Sequence, residues 1–443
     1  MLNLPPGPRG LDAYGFFGRG SVARAVAFLQ KTTRQYGPVS YFRVLNQRVC
    51  LVDDADLIKQ VLVTDGARYV RDSGATLLRE LVGDGLLTSD EPRHIERRRV
   101  MQPAFHRTQI ASYANDMVSE TERTAERWRA GERLDIGSEM KQVTLTIVGA
   151  ALFGIDFGQA ASRVAAILQR AIRRAARISL LLPLLEPWML AYRRRRPKAV
   201  SLFFRGERAE LERILRPVLL GRHEEKTTGI LSLLVEHGLP EGDLSDEILT
   251  LVLAGHETTA NALTWAWYLI AKHPLVEQRL QEEVRQVLEE RTPSFNDVPQ
   301  LVFTARVFQE ALRLYPPGLA FGRRPIEDVE LGGYTIPAGT SVILSPYITQ
   351  RNPRYFERPE EFNPDRWENL SAPKYAYFPF GAGPKMCIGD SFAKLEGVLV
   401  LATIARHWRL QCEDPNLVGV RPGITLGPDR IIWMLPEKPA GMR

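Results

Sequence analysis

The turn FPFGAGPKMCIG, residues 378–389, sets a cysteine among glycines and prolines, directly before a helical pattern. The spacing Phe-Gly-x-Gly-x-x-x-Cys-x-Gly is formed by Phe380, Gly381, Gly383, Cys387 and Gly389. Where neighbouring residues lack side chains, backbone N–H groups can approach a sulfur closely, and the dipole of the following helix favours a thiolate. The pattern therefore predicts a thiolate held as a ligand. A buried cysteine that only fills space is the simpler alternative.

A second candidate site interrupts a long apolar helix. The periodicity predicts this helix from about Ser245, a good N-cap, to Lys272, which at 1.5 Å per residue is about 40 Å. Its middle carries Gly255, Glu257 and Thr258, although glycine lowers helix stability and a buried carboxylate needs a partner. One interpretation is close helix packing, with the threonine bonded to the preceding turn. The other is a groove beside a buried ligand, where an acid and a hydroxyl pass protons.

A third candidate is the pair Glu310 and Arg313 in the segment ARVFQEALRLYPP, a predicted helix that Pro316 and Pro317 end. The two residues lie three apart on one helical face and can form an ion pair. Most such pairs are solvated surface features. Apolar neighbours indicate that this pair is buried, and a buried guanidinium needs further partners for its five donors.

The elements that position these residues are predicted to be mostly helical. The chain has 443 residues, 44% of them apolar and 25% charged, and no linker or repeat divides it, so we expect a single domain over residues 1–443. Two segments alternate apolar and polar residues as hairpins do: residues 40–54 around Asn46 and Gln47, and residues 330–346 with turns at 332–333 and 337–339. The predicted fold class is mainly α (α+β), with small antiparallel sheets.

Composition excludes several classes of protein. The three cysteines are too few for a disulfide framework and fit a reducing compartment. No N-terminal segment has signal-peptide or membrane-anchor length, so we expect a cytoplasmic protein with no transmembrane anchor. The net charge of +6 comes from arginine-rich segments such as residues 93–99 and 192–198. These segments lack interleaved aromatic residues, so nucleic acid is not an expected partner.

The three motifs together resemble the cytochrome P-450 family of haem-thiolate monooxygenases. They are AGHETT at residues 254–259, EALR at 310–313 and FGAGPKMCIG at 380–389, and the resemblance covers nearly the whole chain. It implies a helix-rich triangular prism that buries haem b between the long central helix and the helix after the thiolate loop. It also implies that Cys387 is the axial ligand of the haem iron, with Phe380 packed near the sulfur. A thiolate ligand favours O–O cleavage.

The resemblance implies further roles for the other two motifs. Glu257 and Thr258 match the acid and alcohol that supply protons for dioxygen cleavage. Glu310 and Arg313 match a structural ion-pair network, with Arg366 as its third member and as the further partner of the Arg313 guanidinium.

The resemblance also implies cationic partners for the two haem propionates. His94 and Arg98 match the propionate-binding helix, although Trp is more usual at the first position. Arg323 matches another contact, with Arg324 as the adjacent alternative, and Lys385 stands where arginine or histidine is common. A solvated basic residue is the alternative for each of them. The dipeptide Gln350–Arg351 replaces a His-Arg pair, and we expect no haem contact from it.

The resemblance places the substrate pocket between four largely apolar segments. These are residues 69–87, the long helix near Leu253, residues 316–321 and residues 423–427. Apolar walls predict a lipophilic substrate, either fatty-acid-like or terpenoid or steroid-like, that is hydroxylated or epoxidised. A further apolar segment lies between arginines 170–177 and 193–196, and we expect it to cover the substrate entrance and to meet an acidic head group. This segment is ISLLLPLLEPWMLAY, residues 178–192. A core helix with solvated basic ends is the alternative.

Electrons are expected from a separate ferredoxin or flavodoxin with its reductase, because no dinucleotide fingerprint follows a predicted strand, and bound flavin or NAD is not expected. Basic residues near the haem would dock this acidic partner. The predicted dock consists of Arg93, Arg97, Arg99 and Arg107. We expect a monomer. A peroxide-driven enzyme of the same family and a non-catalytic haem sensor are the alternative functions, and the Glu257–Thr258 pair argues against the first.

Overall fold

Helices form most of the chain that the structure, a computed structural model, describes: residues 3–9, 22–44, 47–157, 160–179, 185, 188–189, 191, 203–220, 229–416, 418–421 and 423–439. The helices of this part are α1 (Val22–Tyr36), α2 (Ala55–Lys59), α3 (Ser73–Val82), α4 (Arg93–Met101), α5 (Arg107–Ser112), α6 (Ala114–Ala125), α7 (Ile136–Phe153), α8 (Ala160–Ser179), α9 (Arg205–Leu220), α10 (Ile230–Glu236), α11 (Glu241–Lys272), α12 (Pro274–Leu288), α13 (Val302–Leu314), α14 (Pro346–Thr349) and α15 (Asp390–His407). The predicted cover of the substrate entrance, residues 178–192, and the arginines at 193–196 lie largely outside the described residues.

Short strands complete the fold. They are β1 (Val39–Val44), β2 (Gln47–Val52), β3 (Tyr69–Arg71), β4 (Leu134–Asp135), β5 (Phe321–Pro325), β6 (Val329–Leu331), β7 (Tyr334–Ile336), β8 (Ser341–Leu344), β9 (Arg409–Cys412), β10 (Val420–Arg421), β11 (Gly427–Pro428) and β12 (Trp433–Glu437). The largest sheet has the order β1-β2-β8-β5-β3, and the smaller ones are β4-β12-β9, β10-β11 and β6-β7. The predicted fold class, mainly α with small antiparallel sheets, is confirmed.

Both predicted hairpins form. Strands β1 and β2 pair with Val44 opposite Gln47, and β6 and β7 pair with Leu331 opposite Tyr334. The turn at residues 337–339 does not close another hairpin. Instead, Gly339 N donates to Pro325 O (2.8 Å), and the chain enters the large sheet, where β8 runs parallel to β2 and antiparallel to β5.

The long helix α11 is buried along most of its length and carries the fully buried Trp265 and Trp267. It begins at Glu241, four residues before the predicted start, because acidic residues suit the positive end of the helix dipole and Pro240 precedes them. Close packing on α7 requires a glycine in its middle, since a Cβ on Gly255 would lie 2.8 Å from Val148 Cγ2. The packing interpretation is therefore confirmed for Gly255. Among the described helices, none is both long and apolar enough to cross a lipid bilayer.

Two carboxylates near the start of α11 hold the loop between α3 and α4. Asp246 Oδ2 accepts from Asp84 N (2.8 Å), and Glu247 Oε2 accepts from Leu86 N (2.9 Å). The loop approaches so closely that a Cβ on Gly83, whose φ is +79°, would lie 2.0 Å from Asp246 Oδ1. Only glycine fits there. This contact fixes the loop that the sequence assigns to the pocket wall.

The pair Glu310–Arg313 is fully buried and lies within a network of main-chain contacts. Arg313 donates to both carboxylate oxygens of Glu310 (2.9 Å each). Its remaining donors reach three main-chain oxygens, those of Gln350 (2.8 Å), Pro359 (2.6 Å) and Glu361 (2.9 Å). The guanidinium is thus satisfied by carbonyl groups.

Arg366 joins this network through Glu310 and through Glu361 O, to which its Nη2 donates (3.2 Å). Its Nε donates to Glu310 Oε1 (2.8 Å), and Trp367 Nε1, which the sequence did not single out, donates to Glu310 Oε2 (3.0 Å). The expectation that Arg366 would satisfy the Arg313 guanidinium was wrong, because two cations cannot partner each other. Main-chain oxygens between residues 350 and 361 serve instead.

We predict that Arg313→Leu lowers the free energy of unfolding by about 3–5 kcal/mol, because Glu310 would remain buried with its charge only partly paired. The control is Arg123→Leu, which breaks the i,i+3 pair with Glu120, in which the Arg123 side chain is 57% exposed. Its expected cost is about 1 kcal/mol or less. Urea unfolding measures both, and equal losses would contradict the structural role.

Candidate active site

The loop before α15 presents Cys387 in a tight turn. Gly381 and Gly383 both have φ of +71°, a conformation that glycine adopts without strain. Cys387 N donates to Phe380 O (2.9 Å), which closes the loop. Phe380 is half-buried, and Gly389 immediately precedes α15.

The thiol of Cys387 lies deep among protein atoms, yet the residue is exposed. Burial raises the pKa of Cys387, and a hydrogen bond from the Gly389 N–H opposes that rise. A sulfur that is both deep and accessible borders a space inside the molecule. This geometry does not fit a cysteine that only fills space, whereas Cys50 is buried as such a residue would be.

A distant π-helical segment packs closely against this loop. A Cβ on Gly383 would lie 1.9 Å from Leu62 O, within the π-helical segment Gln60–Thr64. The loop also accepts a hydrogen bond from α4, since Arg98 Nη1 donates to Met386 O (2.6 Å). The structure therefore brings predicted Arg98 to the predicted cysteine loop.

Positive charges gather beside the loop, and among the described residues most of them have no carboxylate within ion-pair distance. Burial lowers the pKa of Lys385, and the nearby charges of Arg71 and Arg323 lower it further. Burial also lowers the pKa of His94 to about 4, with Arg71 as the next cause. Of these residues, only His94 has a carboxylate within ion-pair distance in the described chain, Glu91 Oε1 at 3.1 Å from its Nδ1. The structure thus brings His94, Arg323 and Lys385 together around Arg71.

Strand pairing explains this cluster. Arg71 on β3 is directly opposite Arg323 on β5, so the two side chains leave the same face of the sheet. Arg324 points to the other face and donates to Ser73 Oγ (2.7 Å). Of the two alternatives at this position, Arg323 is the one that lies beside Arg71 and Lys385. Arg71 was missed from the sequence, because no local pattern indicates which strands pair.

The deep but accessible thiol suits a metal, and the cations that lack a carboxylate partner in the described residues suit two carboxylates. The site therefore fits a cofactor that carries both a metal and two carboxylates. The sequence model described as Cytochrome P450 matches residues 5–435. The chain belongs to the cytochrome P450 family. It is therefore a haem-thiolate monooxygenase, and the donor set of the site agrees with the haem that the family implies.

Three relatives of this P450 are proteins of Streptomyces. Cyclooctatin synthase of Streptomyces melanosporofaciens is 36% identical over 90% of this chain and 88% of its own. Cyclooctat-9-en-7-ol 5-monooxygenase of the same organism is 34% identical, covering 85% and 83%. Pentalenene oxygenase of Streptomyces avermitilis is also 34% identical, covering 83% and 82%.

One face of α11 is open in the middle of the P450. Ala254, Gly255 and Thr258 are half-buried, whereas the residues between and around them are buried. The hydroxyl of Thr258 donates to Ala254 O (2.5 Å), as threonines in helices commonly do. The spacing i, i+1, i+4 defines one side of a helix, so Thr258 lies at the edge of an internal space.

Glu257 does not lie on this open face, and groups that the sequence did not single out hold its carboxylate. Its carboxylate accepts from Asn261 Nδ2 (3.3 Å), and the same amide donates to Thr425 Oγ1 (2.9 Å). Burial raises the pKa of Glu257. Thr425 lies in the segment 423–427 assigned to the pocket, so the acid is linked to that segment, and Asn261 is its missed partner.

The arginines predicted to dock a redox partner divide into two groups. Arg93 pairs with Asp84 and Asp243, and buried Arg97 pairs with Asp243. These two are therefore removed from the predicted dock, because their charges are neutralised within the protein. Arg99 and Arg107 are exposed, and no ion pair within the described residues includes them.

We predict that Gly383→Ala destabilises the P450 by about 1–3 kcal/mol more than Gly333→Ala, because its new Cβ would overlap Leu62 O. Gly333 is the matched control: its φ is +80°, and a Cβ there would meet nothing within 4 Å. It should lose only the cost of the left-handed conformation, about 1–2 kcal/mol. Urea unfolding gives both values. A difference near zero would show that the loop can move away from Leu62.

Proposed function

We propose that this P450 inserts one oxygen atom of dioxygen into a lipophilic cyclic terpenoid, by hydroxylation or epoxidation. Its cofactor is haem b, bound through the Cys387 thiolate, and its electrons come from a separate ferredoxin or flavodoxin. The observation that carries the proposal is the accessible thiol of Cys387 deep in the protein, beside a cluster of unpaired cations. The haem, when bound, supplies an iron centre that activates dioxygen.

The cations hold the propionates in this proposal. Arg71 and Arg323 lie close enough to Lys385 to lower its pKa. Two added carboxylates would relieve the repulsion between these three cations. Arg98 supports the cysteine loop from α4 through Met386 O and lies one helical turn after His94. Lys385 also donates to Tyr69 O (3.4 Å), which holds its amine near β3.

The protein supplies protons through α11. Thr258 lies at the open face, where its hydroxyl would be the group that holds a proton for the dioxygen chemistry of the haem. Glu257 stores a proton readily, because burial raises its pKa. The Asn261 amide donates to both Glu257 and Thr425, so it holds this acid beside the segment 423–427.

Support for the substrate class comes from relatives and from apolar walls. The substrate names of two relatives, cyclooctat-9-en-7-ol and pentalenene, denote cyclic alkenes. A fatty acid is less well supported, because the predicted arginine contacts to an acidic head group are partly used elsewhere. Arg170 pairs with Glu210 (2.9 Å) and Arg174 with Glu207 (3.0 Å).

The electron donor is proposed to bind near the cysteine loop. Arg99 follows Arg98, which contacts the loop, and Arg107 begins α5. Both are exposed, and Lys394, 54% exposed, adds charge on α15 although it pairs with Asp390. An acidic ferredoxin or flavodoxin fits this surface by charge. The single domain, the monomer and the cytoplasmic location stay predictions from the sequence.

We predict that the reduced protein with carbon monoxide shows the strongly red-shifted Soret absorption of thiolate ligation, and that Cys387→Ser abolishes it. The red shift requires a sulfur anion on the iron. Cys412→Ser is the control, because Cys412 is half-buried and lies in β9. A red-shifted band that survives in Cys387→Ser would contradict the assignment, as would its absence in the reconstituted wild-type protein.

We predict that Thr258→Ala lowers the product formed per electron about tenfold or more and raises peroxide release, because a positioned proton donor contributes about 10²–10⁴-fold. The control is Thr264→Ala, since Thr264 makes the same bond to the preceding turn, with Ala260 O at 2.7 Å, and is buried. Product and peroxide are measured against donor consumption.

The same measurement separates the alternative functions. Robust turnover with peroxide alone, unchanged in Thr258→Ala, would show a peroxide-driven enzyme. Reduction and dioxygen binding without oxidation of any cyclic terpenoid would favour a haem sensor.

A further inference from the structure

A buried amide joins the end of α13 to the start of the cysteine loop. Gln350 directly follows α14 and has no exposed surface. Its Nε2 donates to Leu312 O (3.1 Å) and to Arg313 O (2.9 Å), and its Oε1 accepts from Phe378 N (3.0 Å). A glutamine amide has two donor hydrogens and one acceptor oxygen, so both hydrogens and the oxygen of this side chain are used.

The same partners fix which way the amide points. Leu312 and Arg313 belong to the last turn of α13, where main-chain carbonyls lack partners within the helix. Two carbonyl oxygens can accept only from the nitrogen of the amide, and the N–H of Phe378 can donate only to its oxygen. Exchanging the two ends of the amide would lose all three bonds. Gln350 therefore caps α13 in a single orientation.

The third bond of this amide acts on the cysteine loop. Phe378 N donates to Gln350, and Phe378 O accepts from Gly381 N (2.9 Å), which opens the turn. Phe380 O then accepts from Cys387 N (2.9 Å), which closes it. The turn is thus built on one residue whose N–H is held from α13. A shift of Phe378 would carry the turn, and the sulfur, with it.

Two other contacts of the loop act on its later part. Arg98 Nη1 donates to Met386 O (2.6 Å), and Gly383 lies against Leu62 O. Both contacts come after the turn has begun. Gln350 fixes the main chain where the loop starts, before either of them.

The Glu310–Arg313 network holds Gln350 in turn. Arg313 Nη1 donates to Gln350 O (2.8 Å), and Gln350 N donates to Pro346 O (2.9 Å) in α14. The main chain of Gln350 is therefore fixed, and only its side chain extends to Phe378. Because that side chain also binds the main-chain oxygen of Arg313, one residue connects the ion-pair network to the cysteine loop.

We propose that Gln350 is a positioning residue for the Cys387 thiolate, and that it acts through Phe378 without touching the cofactor. This role rests on the proposed function, in which Cys387 binds the haem iron. A metal ligand is held at one place and in one direction by the groups that fix its own position. A cysteine loop that could shift at its start would bond the iron less often, and Gln350 limits that shift.

The test is the carbon monoxide spectrum of the reduced, haem-loaded protein at urea concentrations below its unfolding transition. Gln350→Leu leaves Phe378 N, Leu312 O and Arg313 O without their partner. We expect it to raise the ratio of unshifted to red-shifted Soret absorption about tenfold, a typical factor for one unmade hydrogen bond. Gln350→His should restore most of the red shift, because neutral imidazole offers one donor and one acceptor.

The matched control is Asn352→Leu. Asn352 lies in the same segment, but its amide bonds Asp53 Oδ2 (3.1 Å) and Arg354 N (2.9 Å) and not the cysteine loop. Its loss should lower the urea midpoint of unfolding, because buried Asp53 loses a donor, and should leave the Soret ratio unchanged. General destabilisation would instead move the ratio in both variants.

A second measurement does not depend on the iron. Hydrogen exchange at Phe378 N, followed by mass spectrometry, should be about tenfold faster in Gln350→Leu than in the wild type, because its acceptor is lost. Gln350→Ala, in which water can replace the amide, serves for both measurements if Gln350→Leu does not fold.

Three outcomes would each overturn the proposal. They are unchanged exchange at Phe378 N in Gln350→Leu, an equal change of the Soret ratio in Gln350→Leu and Asn352→Leu, and no recovery in Gln350→His. A wild-type protein without any red shift would contradict ligation by Cys387. The exchange rate at Phe378 N would then still decide whether Gln350 holds the loop.

Discussion

Uncompensated positive charge beside the Cys387 loop is the interaction on which the site depends. Desolvation lowers the pKa of the half-buried Arg71 to about 10, and Arg323 adds repulsion from the opposite strand. Main-chain oxygens of Leu86 and Ser89 accept from Arg71, but among the described residues no carboxylate lies within ion-pair distance of Arg71, Arg323 or Lys385. A cofactor with two carboxylates would offset their mutual repulsion, and its binding to the folded state alone would stabilise that state. Folding and haem binding are therefore linked through electrostatics as well as through the sulfur.

The Glu310–Arg313 pair shows how the protein compensates a buried charge without a ligand. Arg313 is fully buried, yet each of its donors reaches a carboxylate or a main-chain oxygen. This network fixes residues 350–361 to α13 without help from outside. The Arg313 charge is balanced by a carboxylate within the chain, while Arg71, Arg323 and Lys385 have main-chain acceptors but no carboxylate partner among the described residues.

Local pattern predicted much of the fold and of the site, and distant contacts account for the rest. The cysteine loop, the apolar helix around Glu257 and the EALR segment were recognisable because each is defined by residues within a few turns. Arg71 was not, because its place depends on the pairing of β3 with β5, more than 250 residues apart. Asn261 was missed for the same reason, since its role depends on Thr425. The start of α11 at Glu241 was missed because Ser245 is an equally good local signal.

The same limit explains why Arg97, predicted to lie on the surface, proved buried. Arg97 lies in a run of basic residues that resembles an exposed patch, but Asp243 and Glu247 approach it from α11, and burial raises the pKa of Glu247 to about 7. Asp246, the residue between them in this cluster, joins α9 through Arg208 and the pocket loop through Asp84 N. Helix α9 and the loop between α3 and α4 are thus bonded to the two oxygens of the Asp246 carboxylate. Neither can move away from α11 without breaking its bond to that carboxylate, so the outer face of α9 and the substrate pocket are mechanically connected.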